Sequence, residues 1–149
     1  HFAAIKQHHN RVELVSVCDT DAKALDAAAK TTGAKPYKSF GEMLARTDAD
    51  VVVLTTPSGL HAEQAVKVAA SGRHVMTEKP MATRWADGLR MVRACDEAGV
   101  RLFVVKQNRK NATLQLLKRA VENGRFGRIY MVNITVGEKM YTERLVIQK

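Results

Sequence analysis

Residues Asp50 to Thr77 read DVVVLTTPSGLHAEQAVKVAASGRHVMT, and this stretch decides the fold. Asp50-Val51-Val52-Val53-Leu54 is a short apolar run rich in β-branched residues, the pattern of a strand buried on both faces. Ala62, Ala65, Val66 and Ala69 then recur at helical spacing, with Ser58 placed to cap that helix and Gly72 to end it. His74 to Thr77 returns to strand. A strand, a helix and a second strand in so short a span form a βαβ unit, which pairs its strands in parallel.

The same rhythm extends in both directions. Upstream, Val12 to Cys18 reads as a strand, and Ala22, Leu25, Ala28 and Ala29 as a helical stripe closed by Gly33. Ala34 to Tyr37 is extended, and Gly41 to Arg46 forms a small helix. Downstream, Thr83 can cap a helix with the stripe Ala86, Leu89, Val92 and Cys95, closed by Gly99. Arg101 to Lys106 is a strand, Asn111 to Asn123 a helix closed by Gly124, and Arg128 to Val136 a long strand. Trp85 and Phe103 read as core packing. The fold class is α/β, a doubly wound parallel sheet covered on both faces. Residues 1–124 form this domain, and 125–149 begin a second.

Composition is consistent with that reading. The 149 residues are 46% hydrophobic, 26% charged and 5% aromatic, as in a globular protein. A chain of this length buries roughly 70% of its unfolded surface, enough for one core. No apolar run approaches the roughly 20 residues of a membrane span. Two cysteines, Cys18 and Cys95, lie inside apolar patterns and read as reduced thiols of a cytoplasmic protein. The net charge of +9 favours anionic ligands, but the basic residues are scattered and no block of five occurs, which argues against a nucleic-acid binder. No helix-turn-helix, RNA-binding aromatic pair or metal-ligand spacing is present.

In such sheets ligands bind beyond the carboxyl ends of the strands. Here those ends carry Asp19-Thr20, Thr55-Thr56-Pro57-Ser58, Glu78-Lys79-Pro80 and Gln107-Asn108-Arg109. The dinucleotide fingerprint G-x-G-x-x-G is missing, since the nine glycines include no G-x-G pair. That fingerprint also places an acid about 20 residues past its glycines to bond the adenine ribose. Asp19 occupies such a position, and counting back from it leaves the front of the chain. Two readings of Asp19 stand, the ribose acid or a cap for the helix from Ala22. The first residues, His1-Phe2-Ala3-Ala4-Ile5, look like a helix entered midway, so a lost first strand and glycine loop are expected. Lys79, between an acid and a proline, could hold a hydroxyl-bearing or charged ligand, or be an ordinary surface lysine. His61 could touch a ligand at a helix N-terminus, or be a histidine satisfied by backbone.

Together, Val17-Cys18-Asp19, Thr55 to His61 and Gly72-Arg73-His74-Val75-Met76-Thr77-Glu78-Lys79-Pro80 resemble the Gfo/Idh/MocA oxidoreductases, NAD(P)-dependent sugar and inositol dehydrogenases. Phe103 to Arg109, Leu114 to Ala120 and Arg125 to Asn133 resemble the branch that oxidises UDP-N-acetylglucosaminuronic acid at C3 in bacterial surface-polysaccharide biosynthesis. The resemblance implies NAD as cofactor, a nucleotide-sugar substrate, and a homo-oligomer when the protein is full length. It implies that Asp19 bonds the adenosine ribose beside Thr20, and that Thr55, Thr56, Pro57, Leu60 and His61 line the dinucleotide groove. Glu78 would bond the nicotinamide ribose, and Lys79 would reach that ribose and orient or deprotonate the substrate hydroxyl. Gln107 and Asn108 would sit near the nicotinamide and the sugar, with Arg109 close behind. After Val136 the likeness ceases, and no histidine follows His74 to supply the family's catalytic histidine. The chain alone is therefore expected not to turn over substrate. The competing readings are a non-catalytic Rossmann-like binding module and, more remotely, a basic nucleic-acid binder; an intact Glu78-Lys79-Pro80 favours the enzyme.

Overall fold

A computed structural model describes residues 1–125 and the backbone of 129–136 and 139–146. It divides into two compact units, 1–105 and 106–149. In the first unit the order is α1 (Phe2–Gln7), β1 (Ser16–Cys18), α2 (Ala22–Thr32), β2 (Lys35–Tyr37), α3 (Phe40–Arg46), β3 (Val51–Leu54), a 3₁₀ turn (Ser58–Leu60), α4 (His61–Ala70), β4 (His74–Thr77), α5 (Trp85–Glu97) and β5 (Leu102–Val104). The second unit holds a 3₁₀ turn (Gln107–Lys110), α6 (Ala112–Glu122), β6 (Ile129–Val136) and β7 (Lys139–Val146).

Every strand pair of the first unit is parallel. The expected single sheet is nonetheless two ladders, β1-β2 and β3-β4-β5. β1 is three residues long, not the seven of Val12 to Cys18, because it pairs only with the three residues of β2. Pro36, which has no N–H to donate, suits β2 as an edge strand. The ladders share one core cluster, in which Tyr37 and Met43 join Val52, Leu54 and Val75. The hydroxyls of Ser16 and Thr47 add a hydrogen bond of 3.0 Å between β1 and the turn before β3.

The glycines stand where helix ends require them. Gly33, Gly72, Gly99 and Gly124 all have positive φ, the left-handed conformation that side chains resist. The expected N-caps fare less well. Ser58 lies in the 3₁₀ turn instead of capping α4, and α5 starts after Arg84 rather than at Thr83, without a side-chain cap.

The buried stripe of α5 also differs from the expected Ala86, Leu89, Val92 and Cys95. Gly88, Met91 and Cys95 face the core, while Leu89 and Val92 stay exposed. Gly88 fits this face, since a Cβ there would approach Met81 Cε to 3.0 Å. Trp85, 82% exposed, and Phe103, 40% exposed, are not core residues. Phe103 shares a sheet face with Val53, which is 38% exposed, so only the face carrying Val52, Leu54, Val75 and Thr77 is fully covered. Burial pushes the Cys95 thiol above its ordinary range, with a smaller push from Asp96, as expected of an inert interior cysteine.

In the second unit, β6 and β7 pair antiparallel from Ile129↔Val146 to Val136↔Lys139. The strand β7 was not read from the sequence. Gly137-Glu138 between two extended runs carried the Gly-x hairpin signal, and those two residues lie outside the described ones. No helix among the described residues is long and apolar enough to cross a membrane.

The two readings of α5 separate cleanly in a denaturant titration. Met91→Ala, which empties a fully buried site, should cost about 2–5 kcal/mol. Trp85→Ala should stay within about 0.5 kcal/mol of wild type. The reverse order would restore the Trp85 face as core.

Candidate functional site

The parallel register brings the ends of β3 and β4 out at one edge. Leu54 is paired with Thr77, and the Glu78 N–H donates to the Leu54 carbonyl at 3.0 Å, so the turns after the two strands emerge side by side. Thr55 and Pro57 are exposed and Thr56 half-buried. The Thr56 hydroxyl donates to Gln64 Oε1 at 2.5 Å, which leaves its lone pairs as the side-chain function free for a ligand. Leu60 is 45% exposed at the entrance to α4.

Glu78 is half-buried, and Lys79 and Pro80 are exposed. One Glu78 carboxylate oxygen accepts the backbone N–H of Lys79 at 3.1 Å. The other meets His1 Nε2 at 2.7 Å. His1 had no role in the sequence reading, since nothing local relates residues 77 positions apart. The contact brings the start of α1 to the carboxyl end of β4. Lys79 therefore projects from a turn whose acidic neighbour is already oriented by two donors.

His61 is only 1% exposed. Its Nδ1 lies 3.0 Å from the Pro80 carbonyl oxygen and its Nε2 2.8 Å from that of Thr56. The backbone-satisfied alternative thus describes this side chain. Any effect on a ligand passes through the two turns it joins.

Asp19 follows β1, exposed, with Thr20 exposed beside it. The cap reading of Asp19 is corrected here. Asp21 is the N-cap of α2, its Oδ1 accepting from the N–H groups of Lys23 at 2.7 Å and Ala24 at 3.0 Å. Asp19 Oδ1 accepts only the Asp21 N–H, at 2.9 Å, an Asx turn that aims the carboxylate without using its second oxygen. Burial first, and then the Asp19 carboxylate, push the adjacent Cys18 thiol upward.

Gln107, Asn108 and Arg109 lie in the second unit, all exposed, in a 3₁₀ turn. The Arg109 carbonyl accepts from the Gln115 amide. Asn111 caps α6 through its Oδ1, which accepts from Thr113 and Leu114 N–H groups. Among the described residues no group of three His, Cys, Asp or Glu side chains could hold a metal ion.

Within the first unit, then, three strand ends offer an acid with a free oxygen, a threonine turn and an acid–lysine turn. These are the groups that ribose hydroxyls and a reacting hydroxyl need, so the residues present suit the two riboses of a dinucleotide. A phosphate cradle of glycines is not encoded in the chain.

Comparison with known proteins gives the family. Residues 1–106 match the family model GFO_IDH_MocA, described as an oxidoreductase family with an NAD-binding Rossmann fold. A crystal structure of the WlbA dehydrogenase from Bordetella pertussis in complex with NADH and UDP-GlcNAcA is similar, with a TM-score of 0.84 and 67% identity over 87% of this chain and 38% of that one. The WlbA dehydrogenase of Chromobactrium violaceum, also in complex with NADH and UDP-GlcNAcA, is similar at 62% identity and the same TM-score and coverage. The 4-carboxy-2-hydroxymuconate-6-semialdehyde dehydrogenase of a Sphingobium strain is 35% identical over 76% of this chain and 36% of its own length. The chain thus spans little more than a third of these relatives.

The division of labour between the two aspartates has a direct check. Asp21→Ala should lower stability by about 0.5–2 kcal/mol, as loss of an N-cap does. Asp19→Ala, which removes one exposed hydrogen bond, should change a denaturant midpoint far less.

Proposed function

Because the chain belongs to the Gfo/Idh/MocA oxidoreductases, whose N-terminal fold binds NAD, we propose that the complete protein is an NAD-dependent dehydrogenase acting at C3 of UDP-N-acetylglucosaminuronic acid. The observation that carries this reading is the side-by-side emergence of Thr55-Thr56-Pro57 and Glu78-Lys79 from paired parallel strands. The 62% and 67% identities to two enzymes crystallised with this nucleotide sugar support the choice of substrate. A role in surface-polysaccharide biosynthesis, a cytoplasmic setting and a homo-oligomeric state follow from the same likeness and belong to the proposal.

NAD, when bound, supplies the hydride acceptor. The free oxygen of Asp19 accepts from the hydroxyls of the adenine ribose, with Thr20 beside the adenine, and its charge disfavours a 2′-phosphate. Thr55, Thr56, Pro57 and Leu60 form the wall of the groove. Glu78, oriented by His1 and the Lys79 N–H, accepts from the nicotinamide ribose. Lys79 would hold the substrate hydroxyl, orienting it as an ammonium or taking its proton as a neutral amine, while the hydride leaves the carbinol carbon for NAD. Gln107, Asn108 and Arg109 contribute polar groups toward the nicotinamide and the sugar.

The glycine loop has no counterpart among these residues. In the doubly wound order 3-2-1-4-5-6, the strand before that loop lies between the strands corresponding to β1 and β3. Those two strands belong here to separate ladders. We infer that the first strand and its loop come from residues outside this sequence, and that the activity is a property of the longer polypeptide.

NADH formation by the complete protein with UDP-N-acetylglucosaminuronic acid tests the substrate, and absence of turnover would refute it. In that protein Lys79→Met should lower kcat by about 10²- to 10⁴-fold, with NADH affinity changed by less than about threefold. A kcat loss below about threefold would return Lys79 to the surface. Asp19→Ala should narrow the preference for NAD over NADP, and an unchanged preference would remove Asp19 from the ribose site.

A further inference from the structure

His61 is the first residue of α4, and its ring is inside the protein, yet neither ring nitrogen serves the helix. Each points at a backbone carbonyl in a different strand-end turn. Nε2 lies 2.8 Å from Thr56 O, in the turn after β3, and Nδ1 lies 3.0 Å from Pro80 O, in the turn after β4. Carbonyl oxygens only accept. A neutral imidazole has one N–H and could serve one of these contacts, leaving a lone pair facing a lone pair at the other. Both contacts are bonds only when both nitrogens carry hydrogen, which makes the ring a cation whose charge faces the two carbonyl dipoles.

We propose that His61 is a positioning residue that donates from both ring nitrogens, and so fixes the distance between the Thr55-Thr56-Pro57 turn and the Lys79 turn. The inference rests on the reading that the first turn lines the cofactor groove and that Lys79 handles the substrate proton. The remaining ties between the turns lie at the strand ends. They comprise the Leu54–Thr77 register and the Glu78 N–H to Leu54 carbonyl bond, both of which precede Lys79 in the chain. The His61–Pro80 bond is the tie on the far side of Lys79. Lys79 is exposed, so its placement depends largely on the backbone at either flank. Thr56 is tied twice, through its carbonyl to His61 and through its hydroxyl to Gln64, one turn further along α4. The N-terminal turn of α4 thereby serves as a rigid spacer between groove and lysine.

Two conservative variants divide the roles, since an asparagine amide overlays Nδ1 of histidine and a glutamine amide overlays Nε2. In the complete protein, His61→Gln keeps the Thr56 bond and frees Pro80. It should lower kcat by about tenfold or more while KM for NAD stays within about threefold, because misplacement of a reacting group by an ångström can cost about 10²-fold. His61→Asn keeps the Pro80 bond and frees Thr56. It should raise KM for NAD by about two- to tenfold, the worth of one net hydrogen bond, with kcat nearly unchanged. A histidine that merely stabilises the fold would lower Tm in both variants and leave both kinetic constants of the folded enzyme alone. That result, or parallel losses in the two variants, overturns the proposal.

Neutron crystallography of the wild type decides the matter if neither variant folds. Deuterium on both ring nitrogens is expected, and deuterium on one alone overturns the double donation. Absence of NAD-dependent turnover in the wild type itself would sink the proposed function and, with it, the positioning role. A failure confined to the His61 variants would leave that function standing.

Discussion

The arrangement depends on the parallel register of β3 with β4. In a parallel ladder the strands run the same way, so their carboxyl ends lie at one edge, and everything that follows each strand emerges together. Pairing Leu54 with Thr77 sets Thr55 beside Glu78. Had the register slipped by one residue, the alternation of buried Val52 and Leu54 with exposed Val51 and Val53 would have inverted, placing the apolar pair in solvent. Burial of one sheet face thus enforces the juxtaposition on which the proposed chemistry relies.

That burial is achieved economically. Ala62, Ala65 and Ala69 on α4 are small residues that let this helix approach its neighbours, Gly88 on α5 leaves room for Met81, and Val68, Val75 and Met91 fill what remains. The helix α4 has a second task. Its core-facing stripe begins with His61, so the same packing that covers the sheet carries a polar ring to the rim and turns it toward two carbonyls. Buried polar groups are costly unless bonded, and among the described residues no buried side-chain polar atom lacks a partner.

The acids at the strand ends are treated in different ways. Asp21 is spent on the helix α2, which frees Asp19 to present an oxygen outward. Glu78 is held by a histidine and a backbone N–H rather than by a lysine or arginine, so it keeps acceptor capacity for hydroxyl groups. Both carboxylates are fixed in direction by short-range bonds and remain available for ribose-type ligands. Their surroundings suit a neutral, hydroxyl-rich partner better than a phosphate.

Sequence alone sets the class of fold and the chemistry of the rim. Alternating apolar runs and helical stripes, with glycines where left-handed helix ends occur, are local signals, and local signals are legible in order along the chain. Asp19, Thr55 to Pro57 and Glu78-Lys79-Pro80 were legible for the same reason, because a strand end is a position in sequence as well as in space. Every matter of partnership was left to packing in three dimensions. The sequence of α5 offers two apolar stripes that share Cys95, and hydropathy favours Leu89 and Val92; the packed face carries Gly88 and Met91 instead. His1 reached Glu78, and His61 reached Thr56 and Pro80, across separations that no periodicity encodes. Local conformation is set by neighbours in the chain, whereas a hydrogen bond or a packed face is set by whichever groups the fold brings within a few ångströms.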